Sequence, residues 1–144
     1  MIMIVKSIVE AYKLLGNAKT TNLDDADKGK ILKARKTMRP IADEFESFLK
    51  DAQEMLKPEG WEETQKKLSQ WQQEGEKTTL TEEERISINK ALISYQSSID
   101  KAVKAELDKE IEIEIEKLSE GSDIKLMSAN DWTPNQLDLI DMLL

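Results

Sequence analysis

The 144-residue chain contains no cysteine and no histidine. These two absences exclude disulfide bonds, thiol nucleophiles, histidine acid–base catalysis and every zinc site built on either residue. With five glycines and three prolines, the chain is neither a linker nor a low-complexity segment. Its longest purely apolar run, residues 1–5, is far shorter than the roughly 20 residues that a membrane-spanning helix requires. We therefore expect a protein that does not cross a membrane and needs no metal to fold.

Acidic side chains outnumber basic ones by 29 to 21, which gives a net charge of −8. The excess lies in residues 110–144, which hold nine acidic and two basic side chains, whereas residues 1–58 hold nine and eleven. The length fits a single domain over residues 1–144, large enough to bury about 70% of the surface that the unfolded chain exposes. Because there is no export signal and no cysteine, we expect this domain in the cytoplasm.

Two segments carry the hydrophobic spacing of long helices. Over residues 25–57, apolar side chains recur at alternating steps of three and four, from Ile31 to Met55. Residues 82–109 repeat this spacing. Such a heptad pattern is typical of helices that pack along a neighbour, so we expect the two to form an antiparallel pair. Shorter helices are predicted beside them.

The hydrophobic period changes at residue 110. Residues 110–116 alternate strictly between Glu and Ile, which is typical of a strand with one buried face. Residues 1–5 are the only good partner for this strand, so we predict a small β-sheet that joins the N-terminal strand to residues 110–117. A further short strand is predicted at residues 124–127. The fold class is therefore mainly α (α+β), with two long antiparallel helices, shorter helices and a small β-sheet.

A last helix is predicted after Thr133, where a capping box opens and Pro134 presets the first turn. A helix of about ten residues is too short to hold in water alone, so its order has to come from packing. We expect its buried face to include Ile140. The apolar residues left over, Leu139 and Leu143, are candidate contacts for a partner protein or a second copy of the chain.

Six cations occur within twelve residues of the first long helix, with no acidic residue among them. They could follow a phosphate backbone, or they could form a solvated face that offsets the acidic C-terminal third. No aromatic residue is interleaved to stack on bases, and the net charge is negative, so we expect no tight binding of nucleic acid. The six residues are Lys28, Lys30, Lys33, Arg35, Lys36 and Arg39.

Two acidic clusters resemble metal sites but fail on spacing. Counting from Asp25, Gly29 and Lys36 occupy the fifth and twelfth positions of a calcium loop, where oxygen ligands belong. We interpret this cluster as a helix start, because the helix dipole favours acidic residues there. The four glutamates of residues 110–116 lie about 6.5–7 Å apart on a strand, too far for all of them to share one ion. They keep a strand edge soluble, or they meet a basic partner surface. We expect no metal, no cofactor and no catalytic residue.

Two tryptophans, Trp61 and Trp71, lie on the most polar of the predicted helices, over residues 61–76. Partly exposed aromatic side chains often mark a contact surface. A plain role in the core fits the same spacing. We keep both residues as candidate partner contacts.

Three stretches of sequence occur in a specific order. Residues 10–15 read EAYKLL, residues 40–46 read PIADEFE, and residues 105–110 read AELDKE just before the Ile-Glu alternation. This order resembles a family of small uncharacterised helical proteins of tailed phages and prophages. The resemblance implies a phage- or prophage-derived accessory or assembly protein, and it carries no catalytic residue onto this chain.

These patterns together predict a non-catalytic interaction, assembly or accessory protein rather than an enzyme. The predicted partner is another protein or a second copy of the chain in a homodimer. The alternative is a nucleic-acid-binding regulator that uses the basic helix over residues 28–39.

Overall fold

The computed structural model describes all 144 residues, and it confirms a mainly helical fold with two long helices and one small antiparallel sheet. In chain order the elements are β1 (Ile2–Ile4), α1 (Val5–Gly16), α2 (Asp25–Met55), α3 (Trp61–Glu74), α4 (Glu82–Leu107), β2 (Glu110–Glu112), α5 (Ser122–Ala129) and α6 (Pro134–Leu143). A single 3-10 turn over Gly75–Lys77 follows α3. No helix combines the length and the apolarity that crossing a membrane requires.

Contacts divide the chain into two compact units. The first unit joins residues 1–47 to residues 106–144, and the second unit is residues 48–105. Both long helices contribute residues to each unit.

The sheet of the first unit is an antiparallel pair of β1 and β2. The ladder extends by one bond at each end, from Val5 N to the Lys109 carbonyl and from Ile113 N to the Met1 carbonyl, both 2.9 Å. The predicted pairing of the N-terminal strand with the Glu-Ile segment is therefore confirmed. The regular strand is shorter than predicted, because no neighbouring strand continues beside residues 114–117.

The alternation of Glu and Ile buries one face of this segment, as predicted. Ile113 is 5% exposed, and its neighbours Ile111 and Ile115 are half-buried. All four glutamates of residues 110–116 are exposed. Exposed and buried side chains therefore continue to alternate up to Glu116, beyond the end of the regular strand at Glu112.

The core of the first unit is formed by the inward faces of its helices together with the sheet. On α2 the inward face carries Ile31, Ala34 and Met38, at the spacing of three and four residues that places them on one side of a helix. The largest completely buried apolar side chains of the unit are Ile8 on α1, Met38 on α2, Leu126 on α5, and Ile140 and Leu143 on α6.

The C-terminal helix α6 begins with the predicted capping box. Gln136 N donates to Thr133 Oγ1 at 3.3 Å, and Thr133 N donates to the Gln136 side chain at 2.9 Å. Packing leaves Ile140 and Leu143 with no exposed surface. The prediction that Leu143 contacts a partner is therefore wrong for this fold, since the side chain has no exposed surface. A position three residues after Ile140 lies on the same inward face of the helix. Leu139 is half-buried.

Residues 124–127 belong to α5 and not to the predicted strand. Gly121 precedes this helix with a φ of 82°, a left-handed conformation that glycine adopts without strain. Within the helix, Leu126 is completely buried and Ile124 is 64% exposed. A short apolar run is compatible with a strand or a helix, and here the helix is the structure that buries Leu126 in the core.

A buried carboxylate, Asp27, ties the start of α2 to the loop before α5. Its side chain has no exposed surface. Asp27 Oδ1 accepts hydrogen bonds from Ser119 N and Ser119 Oγ, both 3.0 Å, and Oδ2 accepts one from Ser122 Oγ at 2.6 Å. Lys30 Nζ lies 3.7 Å from Oδ1. The bond from Ser122, followed by that from the Ser119 amide, lowers the pKa of Asp27 from 3.8 to about 2, because both favour the charged carboxylate.

In the second unit, Tyr95 on α4 contacts both α2 and α3. Its hydroxyl donates to the Gln53 carbonyl on α2 at 2.5 Å, and its ring lies 4.4 Å from the ring of Trp61 on α3. The helix α4 begins with a capping box in which Thr81 N donates to the Glu84 side chain at 3.2 Å. The Thr81 amide, followed by Lys67 Nζ at 3.3 Å, lowers the pKa of Glu84.

We expect Ile113→Ala to lower the free energy of unfolding by about 2–4 kcal/mol, because a buried isoleucine leaves a cavity when it is truncated. The matched control is Ile124→Ala, whose mostly exposed side chain should change the free energy by no more than about 0.5 kcal/mol. Urea unfolding followed by circular dichroism measures both. Equal losses in the two variants would contradict the burial of one face of the strand.

A second prediction concerns acid. Because the pKa of Asp27 is lower in the folded protein, its stabilising contribution is complete above the unfolded value of 3.8 and is lost as the pH falls towards 2. We expect Asp27→Asn to lower the urea midpoint near neutral pH, and the gap to the wild type to narrow between roughly pH 5 and pH 2. Asp25→Asn, an exposed position in the same turn, is the control. A gap that stays constant down to pH 2 would show that the charge of Asp27 does not stabilise the fold.

Candidate functional site

Four exposed glutamates of the first unit lie along β2 and the irregular segment that continues it. We call Glu110, Glu112, Glu114 and Glu116 the acidic edge. Lys109 and Ile113 hydrogen-bond to Val5 and Met1, the residues on either side of β1. The backbone groups of Glu110 and Glu112, one residue out of phase, therefore point away from β1. The sheet has only two strands, and this side of β2 therefore presents unpaired N–H and C=O groups.

A cleft of about 530 Å³ lies at the C-terminal half of the acidic edge. It is lined by Met1, Ile113, Glu114, Ile115 and Glu116. Apolar side chains and carboxylates therefore alternate along its wall. A lysine or arginine side chain matches this lining, since its aliphatic stem packs on apolar surface while its charged end reaches a carboxylate.

The segment that carries the acidic edge is fixed at both of its ends. At the N-terminal end it is held by the ladder to β1. After Glu116, Lys117 Nζ donates to the Met142 carbonyl and Leu118 N donates to the Leu144 carbonyl at 3.0 Å. Ser119 then bonds to Asp27. The side chains of the four glutamates make no hydrogen bond to the rest of the protein. Glu112 Oε1 lies 3.9 Å from the N-terminal ammonium of Met1, and the other three carboxylates face solvent on a backbone that is fixed at both ends.

No group of three or more metal-ligating side chains comes together in the structure. The carboxylates of the acidic edge are spread along the strand, and their arrangement suits a row of separate cationic side chains.

The six cations of residues 28–39 do not form one face. Lys30 lies beside Asp27, and Arg35 stacks on Tyr12 with its guanidinium carbon 4.6 Å from the ring centre. Arg39 Nε donates to the Tyr12 hydroxyl at 3.3 Å. The other three side chains, Lys28, Lys33 and Lys36, form no ion pair.

Two residues that organise this region, Tyr12 and Asp27, carry no signal in the sequence. Tyr12 lies on α1, and it meets Arg39 across 27 positions of the chain. Asp27 reads as one of three acids at a helix start, and its partners follow 92 and 95 positions later. Only the fold brings these groups together.

The candidate contacts Trp61 and Trp71 are half-buried residues of the second unit. Trp61 packs on Tyr95 with the rings tilted by 40°, so part of its surface serves the unit itself. Leu139, in the first unit, is also half-buried. Each of these side chains divides its surface between packing and solvent.

Comparisons of the chain with protein-family models, with curated proteins and with solved structures found no match. The resemblance to phage and prophage proteins stays a prediction.

The placement of the basic residues generates a prediction about nucleic acid. Because three of the six cations have partners within the protein and the net charge is −8, we expect no binding of duplex or single-stranded DNA tighter than about 10⁻⁵ M near physiological salt. Fluorescence anisotropy of a labelled oligonucleotide over a range of salt concentrations measures this. Tight, salt-sensitive binding that is lost in Lys33→Glu/Lys36→Glu would show that the basic helix follows phosphates.

Proposed function

We propose that the protein is a non-catalytic interaction or assembly protein whose acidic edge binds an extended, basic segment of a partner protein. The observation that supports this proposal is the unpaired outer edge of β2, in a segment that carries four exposed glutamates and is held at both ends. An edge of this kind is a template for a further strand.

The mode of binding is strand addition. Main-chain bonds to the outward groups of Glu110 and Glu112 would supply affinity, and side chains at alternate positions would supply specificity. Directly opposed side chains on a shared face lie about 4.5–5.5 Å apart. A partner with lysine or arginine at every second position therefore places one cation near each glutamate, and its intervening apolar residues fall on the side of Ile113 and Ile115.

Charge complementarity selects this partner over others. The segment over residues 110–144 holds nine acidic and two basic side chains, so a basic chain is attracted and an acidic one repelled. The same negative charge repels nucleic acid, which disfavours the alternative of a nucleic-acid-binding regulator. Three cations of the basic helix, Lys30, Arg35 and Arg39, also have partners within the protein.

The proposal extends to a phage or prophage origin and to the cytoplasm, on the resemblance and the composition alone. Capsid or tail genes next to the gene would support the origin. An isolated operon with a repressor or a toxin would count against it.

The test uses a fluorescent seven-residue peptide that alternates lysine and valine. We expect it to bind the wild-type protein at low salt, and Glu112→Lys/Glu114→Lys to raise the Kd at least about tenfold, because like charges then face each other across the new strand pair. Anisotropy titration measures the Kd.

Two controls separate strand addition from plain charge attraction. A peptide N-methylated at the backbone nitrogens of its two central lysines keeps the charge but loses the main-chain donors that face Glu110 and Glu112, and it should bind more weakly. Glu62→Lys/Glu63→Lys makes the same charge change at exposed positions of the second unit, and it should leave the Kd near the wild-type value. Equal affinity for both peptides, or equal loss in both double variants, would overturn the proposal.

A further inference from the structure

A second cleft of the first unit, about 320 Å³ in volume, lies at the C-terminal end of α1 against α2. Its lining includes Leu15, Gly16, Thr20, Lys28, Leu32 and Arg35. Lys28, Leu32 and Arg35 follow one another at steps of four and three, so they form one stripe along α2. The cleft therefore combines two cations with an apolar wall.

The two cations of this cleft have no acidic partner. Neither Lys28 nor Arg35 has a carboxylate within 4.0 Å. Arg35 Nε is buried and makes no hydrogen bond. A buried donor without an acceptor destabilises a protein, and a charged one does so more strongly than a neutral one. An oxyanion in the cleft would offset the positive charge of this guanidinium.

The guanidinium of Arg35 is held in position before any ligand arrives. It stacks on the Tyr12 ring, and the Tyr12 hydroxyl is itself fixed by a bond from Arg39. Gly16 also lies against the guanidinium: a Cβ there would be 3.0 Å from Arg35 Nη2, so a side chain at this position would displace the guanidinium by a few tenths of an ångström. A positioned guanidinium loses less side-chain freedom on binding than a mobile one.

Leu32 adds an apolar contact that no packing role explains. Its side chain is 67% exposed, and it lies between the two cations on the stripe. Together with buried Leu15 it offers a surface for hydrocarbon. The ligand chemistry that matches all of these groups is an anionic end attached to an apolar body.

We propose that this cleft binds a small molecule or chain end that carries a carboxylate or a phosphate on an apolar body. The anionic group lies between Lys28 and Arg35, whose guanidinium offers paired donors to two oxygens. The apolar body lies against Leu32. This site is separate from the acidic edge, and its test does not depend on the function proposed above.

The experiment is a titration of ¹⁵N-labelled wild-type protein with hexanoate, hexyl phosphate, inorganic phosphate and hexanol, followed by NMR. We expect saturable shifts of the Gly16 and Leu32 amides and of Arg35 Nε–H with hexanoate or hexyl phosphate, at a Kd of about 1 mM or tighter. Hexanol lacks the charge and inorganic phosphate lacks the apolar body, so each should bind at least about tenfold more weakly. The better of the two hexyl anions identifies the carboxylate or the phosphate as the preferred group.

Two variants complete the test. Arg35→Gln should weaken binding of the preferred anion at least about tenfold, and Lys33→Gln, an exposed position of the same helix outside the cleft, should leave it unchanged. Thermal melting checks that both variants fold, and if Arg35→Gln does not, the wild-type shifts alone decide. Absence of saturable shifts with either hexyl anion, shifts centred elsewhere, equal binding of hexanol, or equal losses in both variants would overturn the proposal.

Discussion

One buried carboxylate fixes the arrangement of the first unit. Asp27 has no exposed surface, and a carboxylate in such a place is tolerated only when its oxygens are hydrogen-bonded. The donors come from Ser119 and Ser122, so the loop between them cannot move away from α2 without leaving the charge unpaired. Because this loop follows the acidic edge and leads into α5, the position of both depends on a side chain in the first turn of α2. Local sequence sets each helix, the core packs the helices together, and this interaction ties the start of α2 to the loop before α5.

The first unit keeps charges of opposite sign in two separate places, and neither set forms an ion pair with another side chain of the protein. The acidic edge presents carboxylates along an open strand, where many weak contacts can add up along an extended ligand. The cleft beside Gly16 presents two cations around a small volume, where a single anion is enough. A protein that neutralised these groups internally would gain little, since exposed ion pairs contribute only about 0–1 kcal/mol. The stability of the fold therefore depends little on whether these charges are paired.

Much of this architecture follows from periodicity in the sequence. The heptad spacing predicts both long helices, the Glu-Ile alternation predicts the strand with its buried face, and the box at Thr133 predicts the last helix, because each of these signals is local. Where the signal is non-local, prediction fails. The sequence of residues 124–127 fits a strand as well as a helix, and only the burial of Leu126 in the core distinguishes them. Likewise, only the packing of α6 shows that Leu143 is buried and not a surface residue. Neither the burial of Asp27 nor the cleft around Arg35 could be predicted, since their partners are set by tertiary contacts.

The division of the chain into two units has a consequence for the order in which it folds. The second unit is one continuous segment, residues 48–105, and its contacts close short loops. The first unit needs Met3 beside Ile111, so its sheet closes a loop of more than a hundred residues. Long closures cost more chain entropy and slow the search for native pairs. We therefore expect the second unit to form while the chain is still emerging from the ribosome, and β1 to wait, exposed, until β2 has been synthesised. During that interval the apolar side chains of β1 have no partner strand.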